Sequence, residues 1–275
     1  MKELVTVISP RRNFTRFWRE LWDYRELFLF LSWRDILARY KQTIVGGAWC
    51  IIRPFLTMVV FSIIFGQLAK FPTEGNVPYP ILVYTAMLPW QFFATSFANS
   101  GNSLILNAHI ISKVYFPRVL VPASSVFVCL VDFSISVVVF VGLMIWYGFM
   151  PNWKVIFVPL FLLLVVVFSL GLGLLLGALN VKYRDFKNII PFMVQLGLYI
   201  SPVGFSSSII PEKWRLLYSL NPMVGVIDGF RWATLGDNVT FAWQGILLSC
   251  IVSILFLAGG LWYFMKTEKF FADVI

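Results

Sequence analysis

Asp132 and His109 are the residues whose types invite a chemical role in a chain that is otherwise short of one. Asp132 is the one acid deep inside an apolar run, Val119–Tyr147, and an ionisable group placed there is a functional candidate by default. A proton relay would need a histidine or basic partner at similar depth in another span. None is visible in the sequence, so Asp132 reads as a paired or pore-lining group. His109 is the single histidine, and a lone histidine in a loop is more often structural than catalytic. There is no G-x-x-x-x-G-K-S/T string to cradle phosphate, no H-E-x-x-H and no Gly-x-Ser-x-Gly. Cys50, Cys129 and Cys250 each sit alone in an apolar run, which gives neither a disulfide framework nor a metal spacing. Arg53, next to Pro54 near one end of the first span, is placed to snorkel toward headgroups. Gly173 and Gly177 have the small-x-x-x-small spacing that lets helices approach closely.

The elements that must position these residues are membrane spans. Of the 275 residues 59% are hydrophobic and only 13% charged, about half the charged share of a water-soluble domain. Six apolar stretches are expected as spans: Gly47–Ala69, Ile81–Ile105, Val119–Tyr147, Val155–Leu179, Phe186–Phe205 and Trp243–Met265. The first begins too late and runs too long for a cleavable signal peptide. The second carries Gln91, Asn99 and Asn102, and the fifth Gln195 and Pro202. Polar groups in lipid need partners, so these two spans are expected to face the bundle interior or a pore. Net charge is +9. With the N-terminus inside, 16 of the 22 basic residues fall on the cytosolic side and 5 outside, with Arg53 in the first span. That bias places both termini in the cytosol and gives no reason to expect nucleic acid as a partner.

Three segments are neither span nor simple loop. Phe14–Lys41 reads as a pair of amphipathic helices. Phe14, Phe17, Trp18, Leu21 and Trp22 share the face of one; Trp33, Ile36, Leu37 and Tyr40 share the face of the other. Ser32 and Asp35 have capping-box spacing, which marks a start for the second piece. The plain reading is an interfacial anchor on membrane lipid, and it is compatible with docking a soluble partner. Asn107–Pro117 is too long and apolar for a minimal turn. It offers Ile110, Ile111, Val114 and Tyr115 as a small hydrophobic surface, or tucks against the spans. Residues 206–242 contain two helix starts, at Pro211 and at Asn221-Pro222, and a stop at Gly236. Met223, Val224, Val226, Ile227, Phe230 and Trp232 make the second helix too apolar for water. It should fold back as a helical hairpin, a lid over a pore or a packing cap. Tyr79, Trp90, Trp146, Trp153, Trp243 and Trp262 fall where interfacial belts are expected. Phe61, Phe65, Phe92, Phe93, Phe97 and Tyr199 lie deeper, as core packing or as faces on which sugar rings could stack.

Several strings resemble a known family: W-R-D-I-L-A-R-Y-K-Q-T-I-V-G-G-A-W (33–49), V-Y-F-P-R-V-L-V-P (114–122), Y-R-D-F-K-N-I-I-P-F (183–192), S-P-V (201–203) and P-E-K-W-R-L-L-Y-S-L-N-P-M-V-G-V-I-D-G-F-R-W-A (211–233). In this order, over nearly the whole chain, they are similar to the permease subunit of bacterial ABC exporters for lipid-linked polysaccharide, a group that covers O-antigen, capsule and teichoic-acid exporters. The resemblance implies an all-α integral membrane protein. It would have a cytosolic amphipathic interface region (residues 1–46) and a six-span domain (residues 47–275) with a coupling segment at 107–117 and an external re-entrant gate hairpin at 206–242. It implies a homodimer in the inner membrane, paired with a separate ATPase that holds ATP and magnesium, so that this chain binds no cofactor and is not itself an enzyme. Trp33, Arg34, Asp35, Arg39, Tyr40, His109, Lys113, Tyr115 and Phe116 would couple to the ATPase. The channel residues would be Phe61, Phe65, Phe92, Phe93, Phe97 and Tyr199. The gate would hold Pro211, Trp214, Asn221, Pro222, Phe230 and Arg231. O-antigen is the leading cargo, with teichoic acid, capsule or a small lipid or drug as alternatives. A membrane transferase is a distant third, since Asp132 with His109 is a poor acid–base pair.

Overall fold

A computed structural model describes residues 14–41, 46–68, 77–183, 185–236 and 243–271. Among them every regular element is helical. Five helices are long and apolar enough to cross a bilayer: Ile51–Leu68, Tyr79–Leu106, Leu120–Trp146, Trp153–Lys182 and Trp243–Thr267. The chain is therefore a multi-pass membrane protein. The expected fifth span, Phe186–Phe205, is instead a 15-residue helix, α8 (Phe186–Ile200), followed by a turn at Ser201. That is shorter than the roughly 20 residues a straight crossing needs.

Two short helices precede the spans, α1 (Phe14–Asp23) and α2 (Arg25–Lys41). The break falls at Tyr24, not at Ser32, where the capping spacing predicted a start. Ser32 is buried inside α2 and its hydroxyl donates back to the Phe28 carbonyl at 2.8 Å. A helix-interior serine satisfied by the i−4 carbonyl has no need to cap. Residues 42–45, which join α2 to the first span, lie outside the described residues. Helix α3 (Gly46–Phe61) contains Pro54 and continues as a π-helix over Ser62–Leu68.

Helix α4 (Tyr79–Leu106) is the axis of the fold. It packs chiefly against α7 (Val158–Lys182) and α6 (Leu120–Trp146), and α7 in turn against α11 (Trp243–Thr267). Glycines set the closeness of these crossings. A Cβ on Gly173 would lie 2.4 Å from the Ser100 hydroxyl, and Gly177 faces the backbone of Ser100 and Gly101. On the other side of α7, a Cβ on Gly171 would fall 2.5 Å from the Leu257 backbone nitrogen, and one on Gly260 2.2 Å from the Gly171 carbonyl. Span 2 is thus the interior helix that its amides suggested. Asn180 of α7 donates to the Gly101 carbonyl and to Asn102, each at 3.2 Å, and Asn99 reaches Cys129 at 3.3 Å. Gln195 on α8 is exposed instead, as is most of that helix apart from Ile190.

Candidate functional site

Two ends of the bundle carry the residues singled out above. At the end bearing α1 and α2, the turn after α4 makes one helical turn, α5 (Ala108–Ile111). Its apolar residues divide. Ile111 and Phe116 are buried with Phe17, Leu31, Leu104, Phe264 and Phe271, whereas Val114 and Tyr115 are exposed. Phe116 is therefore an anchor of the turn, not part of its outer face. The chain's C-terminal segment locks onto the same turn. The Arg118 backbone N–H donates to the Glu268 carboxylate at 3.0 Å, and its guanidinium to the Glu268 carbonyl.

Helix α2 is bound to this turn and to the spans by polar side chains. Arg34 donates to Asp35 at 2.6 Å and to the Asn107 side chain at 2.7 Å. One turn further, Arg39 donates to one carboxylate oxygen of Asp132 and the Tyr40 hydroxyl to the other. Asp132 thus has the basic partner that no other span supplied, and it comes from the amphipathic segment. Since Asp132 sits near the middle of the 27-residue α6, the last turn of α2 is fastened to the middle of that helix. The pair is worth having because an unpaired carboxylate at that depth would be severely destabilising. Trp33 and Leu37 face outward. Arg34, Asp35, Arg39, Asn107, His109 and Ile110 line an open groove of about 690 Å³ between α2 and the turn. His109 also lies 3.1 Å from Lys113. The nine residues expected to couple to a partner thus split into outward-facing, groove-lining and internal sets.

At the opposite end, α9 (Glu212–Tyr218) and α10 (Pro222–Leu235) begin where the two proline starts predicted. Pro211 precedes α9 and Trp214 is exposed on it. Asn221 caps α10 by accepting from the Met223 N–H at 3.0 Å, Pro222 fills its first position, and Gly236 ends it at φ 70°. Every residue of α10 but Trp232 is buried, among α4, α7 and α11. Phe230 meets Phe133 and Phe161 edge-on and tilted. Side chains from α9, α10, the residue between them and α4 hold the end of α8 and the turn after it. Arg231, fully buried, donates to Phe205 at 2.9 Å and Val203 at 3.2 Å. Tyr218 donates to Ile200 at 2.8 Å, Asn221 to the Ser201 hydroxyl at 3.0 Å, and Tyr79 to Gly204. Burial, and after it the Asp228 carboxylate, pushes the Tyr218 phenol well above its ordinary value, with Arg231 pulling the other way. These bonds satisfy carbonyls that the end of α8 leaves without helical partners.

The aromatic residues expected along a channel separate. Phe92, Phe93 and Phe97 are buried: Phe92 packs edge-on to Phe133, and Phe93 stacks between Phe97 and Phe168 at 5.7 and 4.9 Å. Phe93 and Phe97 also line an apolar cavity of about 290 Å³ closed by α8. Phe61 and Phe65 meet edge-on beside Gly204, and Tyr199 is exposed on α8. Trp90, expected in an interfacial belt, is buried within the bundle; Trp146, Trp153, Trp243 and Trp262 are exposed.

Asn107, Tyr79 and Glu268 were not foreseen as fastenings. Each bonds a residue 73 or more positions away, and local pattern carries no such signal. Arg53, near the start of the span Ile51–Leu68, lines a pocket with Gln91 and Asp132, which sit midway along α4 and α6.

A family model described as ABC-2 type transporter matches residues 26–235. The O-antigen export system permease protein RfbA of Klebsiella pneumoniae is 29% identical over 91% of this chain and 95% of its own length. A protein of the same name from Myxococcus xanthus is 28% identical over 92% and 96%. The polysialic acid transport protein KpsM of Escherichia coli is 23% identical over 80% and 84%.

Proposed function

Since the chain belongs to the ABC-2 type transporter family, we propose that it is the permease subunit of an ATP-driven exporter that carries lipid-linked polysaccharide, O-antigen first, across the bacterial inner membrane. The observation that carries this reading beyond the family is the junction at the α2 end of the bundle. There α1, α2, the α5 turn and the C-terminal segment share one buried cluster while Val114 and Tyr115 stay exposed. That is the form expected of a surface through which a soluble ATPase would move the spans, in a chain that has no phosphate loop of its own. This end is the cytosolic one, with both termini there, because the basic residues concentrate on it.

The subunit works as a homodimer. Helices α3 and α8 leave Phe55, Leu56, Val60, Phe192, Leu196 and Tyr199 exposed, and the second copy covers these faces to enclose the glycan path. On this reading α8 with its clamped turn counts as the fifth of six spans, and α9–α10 form a re-entrant gate. The names of the relatives support a glycan cargo, with capsular polysaccharide as the alternative favoured by the KpsM likeness. Deleting the gene should strip long polysaccharide from the cell surface and trap it inside. The composition of the trapped glycan separates O-antigen from capsule, and unchanged surface glycan would end the reading.

A further inference from the structure

Arg53 projects from an apolar membrane helix and has no acceptor for its guanidinium among the described residues; its one recorded side-chain neighbour is the Trp49 ring, 5.8 Å away. A charge on an apolar helix that has no acceptor is a functional candidate, since the sites that keep one serve a ligand or a path. Arg53 shares its pocket with Gln91 and Asp132, which sit midway along α4 and α6. Pairing does not satisfy it. Asp132, the one carboxylate lining the pocket, is held by Arg39 and Tyr40. Two guanidiniums against one carboxylate leave the pocket with a net positive charge.

We propose that this pocket, between α2, α3, α4 and α6, binds the phosphate or diphosphate headgroup of a lipid, with Arg53 and the Gln91 amide as its donors. The remaining polar groups fit that division. The Thr95 hydroxyl donates to the Gln91 carbonyl at 2.8 Å and the Ser136 hydroxyl to the Asp132 carbonyl at 3.0 Å. Both protons are spent within their own helices, and the guanidinium and amide remain to meet an anion. A planar guanidinium matches phosphate oxygens in pairs. The space is about 210 Å³, suited to a headgroup and not to a chain of sugars, and Trp49, Leu88, Phe92 and Phe133 supply an apolar rim for the attached tail. Arg39 lines both this pocket and the 690 Å³ groove beside the α5 turn, so the two form one route along α2 from the end of the bundle into its middle. The assignment rests on the export reading for its biological ligand, a lipid-linked glycan, but its chemistry is testable alone.

The test uses the full chain in dodecyl maltoside, a phosphate-free detergent, with no ATP and no glycan. Farnesyl diphosphate, inorganic diphosphate and farnesol are titrated by calorimetry. Farnesyl diphosphate should bind most tightly, and Arg53→Gln should weaken it by roughly tenfold or more, the worth of one charge-assisted contact. Gln91→Leu should weaken it by a few-fold, which keeps the proposal testable if Arg53→Gln does not fold. Unchanged affinity in either folded variant would overturn the site. Inorganic diphosphate binding as tightly as the lipid would overturn the lipid assignment, and farnesol binding as tightly would overturn the anion. None of these outcomes depends on whether gene deletion blocks glycan export, so the two proposals fail separately.

Discussion

Asp132 holds two neighbours of α2 at once, and its charge should be measurable in stability. Replacing it with Asn keeps the shape but leaves Arg39 facing a neutral group in a poorly hydrated site. Breaking a buried pair costs about 3–5 kcal/mol. Because the Arg39 side chain is 32% exposed, the expectation here is reduced to about 1–3 kcal/mol. The Asp132→Asn protein should melt several degrees lower in detergent. Adding Arg39→Met should recover part of the loss, since the Arg39 charge no longer faces a neutral partner. A double-mutant cycle reads the coupling, and strictly additive losses would show that the pair is incidental. The sequence pointed to Asp132 because an acid in an apolar run is conspicuous by itself. It could not point to Arg39, one of many basic residues in a segment that reads equally well as a lipid-bound belt.

At the level of helices, small residues decide how closely α7 can sit against its neighbours. The spacing of Gly173 and Gly177 announced one crossing, with α4. The other crossing, through Gly171 and Gly260 to α11, breaks no pattern in the sequence and appears only where backbones meet. The adjacent pair Gly259 and Gly260 provides the test. A Cβ on Gly259 meets nothing within 4 Å, whereas one on Gly260 would lie 2.2 Å from the Gly171 carbonyl, which has no flexible end to move aside. Gly259→Ala should leave the melting temperature and yield unchanged or slightly raised, since alanine favours helix. Gly260→Ala should force α11 away from α7, cost about 1–3 kcal/mol as overpacking does, and lower the yield of folded protein. Equal behaviour of the two variants would contradict this packing. The bounds of α10 were legible for a different reason: Asn221, Pro222 and Gly236 act through local backbone geometry, which a sequence displays directly.

For the whole molecule, the proposed function makes the turn between α4 and α6 the place where folding and coupling should come apart. Phe116 is 2% exposed and Tyr115 48%, so charges at these adjacent positions should fail differently. Phe116→Asp places a carboxylate in the cluster that joins α1, α2 and the C-terminal segment, and should prevent accumulation of folded protein. Tyr115→Asp should fold and insert normally, yet lose stimulation of the partner ATPase and export. Membrane abundance measured beside ATPase activity and surface glycan distinguishes the two. Normal export by a folded Tyr115→Asp chain would remove this turn from the docking surface.

Composition and periodicity by themselves determined that the chain crosses the membrane several times, which segments are amphipathic, where α9 and α10 begin and where α10 ends. Each of these follows from how a residue interacts with solvent or with its own backbone a few positions away. Tertiary structure alone decided that α8 stops short at Ser201, that Phe116 turns inward, and that α2 is fastened to Asp132. It also decided that Phe92, Phe93 and Phe97 fill the core and that Arg53 shares a pocket with Asp132. The reason is that an apolar or charged side chain finds its energy in whichever distant surface packs against it, and in a membrane protein nearly every surface is apolar enough to qualify. Hydropathy can say that a residue is in the membrane, while only the packing of the helices says whether it meets lipid, another span or an open pocket.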